Sequence, residues 1–128
     1  MEQPKTYIQT WFNPNYLKLK CEGVVFTTFN HNKVRVDISK DVDVDDSNPS
    51  RPLARTAFYS YNANRPGGDN LLRYDSPDPP AAITSSTPYH HYSHHKHDWS
   101  SGEEQIILLD DDKWPHVHEF FLEVLTKF

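Results

Sequence analysis

Five of the chain's eight histidines fall within eight residues, in the stretch PYHHYSHHKH, at His90, His91, His94, His95 and His97. Imidazole takes and gives protons near neutral pH, so such a cluster suits general acid–base chemistry. It is also a common ligand for transition metals, and His91 with His95, or His94 with His97, have usable separations on a turn or helix. The stretch follows no recognised zinc spacing, however, and Cys21 is remote in the chain. No metal and no cofactor are therefore expected. Cleaving RNA without a metal asks for a base at the 2′-hydroxyl, an acid at the leaving oxygen and a cation facing the phosphorane. His94, His95 and His97 supply proton-transfer groups, and Lys96 and Arg73 supply charge. Tyr59, Tyr61 and Tyr74 can stack bases, as single-stranded RNA is commonly held. Plainer readings stand beside these. Alternating aromatics in strands often pack a core, and Arg73 with Asp75 fits a salt-bridged strand pair. On the residues alone, a nuclease and a non-catalytic interaction or metal-binding domain are both open.

The elements that must position these groups can be read from periodicity. YLKLKC and GVVFTTF alternate with a phase shift across Glu22-Gly23, which predicts a bulge or tight turn. The turn signal NHN leads into the alternating KVRVDIS strand. RTAFYSYNA and LLRYDS read as strands joined by NRPGGDN, a hairpin. PKTYIQTWF predicts a short helix with Pro4 in its first turn. Residues 40–52 read as an acidic loop. Asp41, Asp43 and Asp45 alternate there but lack the Gly and terminal Glu of a calcium loop. Residues 76–97 show no periodicity and carry four prolines, which predicts a long loop ending in the histidines. EEQIILL reads as a buried strand. Val117, Phe120, Phe121, Val124, Leu125 and Phe128 form one helical stripe, with Asp111 and Asp112 at its N-terminus and Pro115 in the first turn. The expected architecture is a single α+β domain over 1–128: an antiparallel meander of about five or six strands, one face covered by a C-terminal amphipathic helix.

Composition narrows the setting. Seven Phe, seven Tyr and three Trp predict an aromatic core. No apolar stretch reaches the roughly 18 residues that span a bilayer, and the N-terminus lacks signal-peptide order. With one cysteine and no membrane segment, a cytoplasmic protein is expected. Residues 51–99 carry five Lys/Arg against four Asp/Glu, whereas residues 100–128 carry two against seven. The histidine region is thus the least anionic part of an acidic chain, which permits a phosphate-bearing ligand.

LLRYDSP, preceded by a YSY strand and followed about twenty residues later by HHKH, resembles the TumE-type toxins of bacterial and archaeal toxin–antitoxin pairs. The likeness spans roughly residues 55–125. Arg73, Tyr74 and Asp75 match an Arg-Tyr-Asp strand end, and His94, His95, Lys96 and His97 match a His-His-Lys-His motif. The chain departs from the pattern at Asn62, where histidine follows the tyrosines, and at Ser93, where proline precedes the histidine pair. The resemblance implies an mRNA-cleaving toxin neutralised by a helix-turn-helix antitoxin. It leaves the oligomeric state open. If YSY and RYD are hairpin neighbours, Arg73 shares a face with Tyr59 or Tyr61, and Tyr74 points the other way.

Overall fold

A computed structural model describes residues 5–10, 16–110 and 114–128. One antiparallel sheet holds seven strands in sequence order: β1 (Lys5–Thr10), β2 (Tyr16–Thr27), β3 (Lys33–Asp45), β4 (Leu53–Asn64), β5 (Asn70–Asp75), β6 (His95–Asp98) and β7 (Gln105–Leu108). Among the described residues one α-helix, α1 (Val117–Lys127), covers one face. The α+β meander is thus as expected. Its strand count exceeds the expectation because two segments not read as strands join the sheet: the one read as a helix is β1, paired from Lys5↔Glu22 to Thr10↔Leu17, and the end of the one read as a long loop is β6. Thr6, Tyr7, Ile8 and Thr10 favour extended backbone, and β2 offers them a free edge. Pro4, Trp11 and Phe12 lie outside the described residues.

The phase shift at Glu22-Gly23 is a bulge: pairing with β3 slips between Cys21 and Val24, and Gly23 has φ +72°. Its N–H donates to Asp37 Oδ1 at 2.8 Å, which fixes the kink. The acidic loop proves shorter than 40–52, because β3 runs on to Asp45. Val42 and Val44 keep the period of two there while the aspartates alternate between them, and Val42 is buried.

Strand alternation sends Val34, Val36, Ile38, Tyr59, Tyr61, Ala63, Leu72 and Tyr74 to the helix side. Phe120 and Val124 of α1 are fully buried against them, with Phe120 5.6 Å from Tyr61 and 5.5 Å from Tyr74 between ring centroids. The predicted helical stripe is the buried stripe. Pro115 precedes the N-cap His116 instead of entering the first turn, and the backbone N–H of His116 donates to Glu119 Oε2 at 2.9 Å. Asp111 and Asp112 lie outside the described residues. No helix among the described residues is long and apolar enough to cross a membrane.

Candidate functional site

The 76–97 segment is not a free loop. Proline at 79 and 88 opens two short 3-10 turns, Pro80–Ala82 and Tyr89–Tyr92, and its last residues are strand β6. The Asp78 N–H donates to the His91 carbonyl at 2.8 Å, so the segment folds back onto the sheet. Register then decides which side chains meet. Arg73 pairs with His97, Asp75 with His95, and Tyr74 with Lys96. On β4, Asn62 pairs with Arg73 and Tyr61 with Tyr74. Consecutive residues of a strand face opposite sides.

Arg73, Asp75, His95 and His97 therefore share the face away from α1, in a cleft of about 250 Å³ also lined by Phe58, Ser76, Asp78 and His91. His90 packs edge-on against both cleft histidines, its ring centroid 4.9 Å from His95 and 5.4 Å from His97. The His95 and His97 centroids are 5.1 Å apart. Ser93 carbonyl oxygen accepts from His95 Nδ1 at 2.9 Å, and Glu104 Oε1 accepts from His97 Nδ1 at 2.7 Å. With Nδ1 carrying the proton in both rings, each Nε2 presents its lone pair to the cleft whenever the ring is neutral. Asp75 Oδ2 lies 3.9 Å from His95 Nε2 and 3.8 Å from His97 Nε2. It accepts from Arg73 Nε at 2.8 Å, which orients a guanidinium whose side chain is 48% exposed at the rim. The salt-bridged strand pair and the site are one arrangement. Burial pushes the His95 imidazole below its ordinary pKa, against the Ser93 bond and Asp75, which raise it. Burial and the neighbouring histidines do the same to His90.

The other expected residues lie on the far side of the sheet. Tyr59 and Tyr61 are fully buried and Tyr74 nearly so. Burial pushes the Tyr61 hydroxyl up to about 12 and raises those of Tyr59 and Tyr74 too, so all three remain neutral core groups. The base-stacking role expected of them is corrected on this ground, and so is their shared face with Arg73: Tyr61 sits opposite Tyr74, one position out of phase. Lys96 Nζ reaches Glu123 Oε1 of α1 at 2.8 Å, not the cleft. His94 is buried, stacked on Tyr59 and hydrogen-bonded to its hydroxyl at 2.7 Å.

Compared with known protein families, curated proteins and solved structures, the chain matches none of them.

The residues expected at the site did not include Asp75 as a carboxylate, nor Asp78 or Glu104, and His90 stood in the cluster with no role of its own. Asp75 was legible, since it stands two residues from Arg73 and must share its face in a strand. Glu104 was not, because its reach to His97 depends on the β6–β7 turn. Past His97, the Trp99 ring stacks at 5.7 Å and borders an open hollow of about 500 Å³ that Arg65 and Asn70 also line.

Proposed function

We propose that this protein is the toxin component of a toxin–antitoxin pair, a metal-independent endoribonuclease that acts on mRNA. The observation that carries the reading is the pair of imidazoles, His95 and His97, with Nδ1 engaged and Nε2 turned to a common cleft beside Arg73. In that arrangement His95 Nε2 accepts the 2′-hydroxyl proton as the 2′-oxygen bonds to phosphorus. His97, protonated, delivers a proton to the 5′-oxygen as the P–O5′ bond breaks. Arg73 faces the charge of the phosphorane. The products are a 2′,3′-cyclic phosphate and a free 5′-hydroxyl. Trp99, half-buried beside the cleft, lines an open hollow and offers there the aromatic surface that the buried tyrosines do not, with Arg65 near for a phosphate. The Arg-Tyr-Asp and His-His-Lys-His motifs, in their resemblance to TumE-type toxins, support the mRNA substrate and a helix-turn-helix antitoxin partner.

The test is cleavage of a mixed-sequence RNA by purified protein in excess chelator, with end-group analysis of the fragments. Wild type leaves cyclic phosphate ends, and His97→Ala cuts about 10²–10⁴-fold more slowly. Intact RNA across the neutral range, or equal rates for the two proteins, overturns the reading in favour of a non-catalytic domain.

A further inference from the structure

The cleft holds more acceptors than donors. Ser93 and Glu104 fix the His95 and His97 tautomers, so two Nε2 lone pairs point toward Asp75 Oδ2 at 3.9 and 3.8 Å. Those distances exceed a hydrogen bond, so nothing on these three groups links them directly. The Asp75 carboxylate is engaged elsewhere: Oδ2 accepts from Arg73 and Oδ1 from the Ser60 hydroxyl at 2.9 Å. With the carboxylate already paired to Arg73, it is the two Nε2 lone pairs facing one space that leave room for a cation. His90 completes the set, since one ring nitrogen of each of His90, His95 and His97 lies within 4.8 Å of the other two.

The geometry is near that of a metal chelate. Nitrogens bound to zinc at about 2.0–2.1 Å stand about 3.3 Å apart in a tetrahedron, so closure needs movements on the order of an ångström. His90 can make them, being half-buried on the short Tyr89–Tyr92 turn, while His95 and His97 are held on β6. The outer partners are those a metal-bound imidazole uses: a backbone carbonyl on one Nδ1 and a carboxylate on the other. Three imidazoles select late first-row divalent metals over magnesium or calcium.

We propose that His90, His95 and His97 bind one zinc-class divalent ion, and that the bound ion silences RNA cleavage by occupying the lone pairs that proton transfer uses. The silencing rests on the nuclease reading above; the binding does not. The probe is zinc itself, with cobalt(II) as the spectroscopic substitute, added to tag-free, chelator-stripped protein.

Equilibrium dialysis is expected to give one zinc per chain, and cobalt(II) the d–d absorption of a four-coordinate site. His90→Ala, on a peripheral turn that leaves the sheet intact, weakens binding roughly 100-fold or more, since loss of an outer partner alone costs about 10–100-fold. His97→Ala does the same, and His118→Ala, exposed on α1 and stacked on the N-cap His116, changes nothing. No stoichiometric zinc, or equal affinity in His90→Ala and wild type, overturns the site. Stoichiometric zinc that His90→Ala loses, with no cleavage by the apo protein, upholds the site while the nuclease reading and the silencing fall. Cleavage that rises with zinc overturns the silencing; cleavage that falls in proportion to occupancy upholds it.

Discussion

Arg73 and Lys96 are the two cations the sequence offered to a phosphate, and strand parity separates them. Arg73 faces the histidine cleft, while Lys96 is paired with Glu123 on the helix side. Their substitutions should divide accordingly. Arg73→Ala is expected to lower kcat for RNA cleavage by about 10²–10³ with little change in melting temperature, as loss of a transition-state donor does. Lys96→Met keeps the packed stem, leaves kcat near wild type and costs about 1–3 kcal/mol of stability, because Glu123 loses its donor. Chemical denaturation and cleavage kinetics on the same samples check both; a fall in kcat for Lys96→Met alone would reverse the assignment. The sequence showed which residue types gather here. Which of four successive residues face the cleft depended on where β6 begins, and HHKH carries no apolar alternation to mark it. A buried histidine at 94 and a buried histidine at 95 have opposite roles for that reason alone.

At the scale of elements, α1 is held to the sheet by its aromatic stripe and by a part-buried polar cluster. Glu123 accepts from Lys96 and from the Tyr74 hydroxyl, and Lys127 lies 3.5 Å from it while donating to Asp98. Burial alone would raise the Glu123 carboxyl, but the bonds from Lys96 and Tyr74 and the charges of Lys96 and Lys127 outweigh it and hold its pKa below the ordinary glutamate value. Unfolding at acid pH therefore takes up a proton at Glu123. Its contribution is complete above about pH 4.5 and is lost as pH falls through the native value. Urea midpoints followed from about pH 6 to about pH 3 should fall less steeply for Glu123→Gln than for wild type; parallel curves would show that this carboxyl does not anchor the helix. The helix was legible because its apolar period runs unbroken from Val117 to Phe128, and the hairpins because alternating segments flank clear turn signals. β1 was not, since six residues without a buried partner in view read equally as a turn of helix. EEQIILL, expected to be buried, is not: Ile106, Ile107 and Leu108 are 44%, 38% and 47% exposed, because β7 is an edge of the sheet and no described element covers it. An apolar run reports hydrophobicity, not what will lie against it.

For the molecule as a whole, that edge is the exposed risk. β7 pairs with β6 on one side, and Glu103, Glu104 and Asp110 flank its apolar residues with negative charge. Like charges at both ends keep copies of such an edge apart until salt screens them. Sedimentation velocity should show self-association growing between about 50 mM and about 1 M salt, where the Debye length falls to about 3 Å, and Ile107→Lys should suppress it; salt-independent sedimentation of both proteins would exclude edge pairing. The strand order has a different consequence. Every strand hydrogen-bonds only to its neighbours in sequence, so the sheet can be laid down in the order the ribosome makes it. The first four strands precede Arg73, and His97 gains its Glu104 partner only when the β6–β7 turn has emerged. On the nuclease reading proposed above, four strands are in place before Arg73, His95 and His97 are made, so the scaffold precedes the blade.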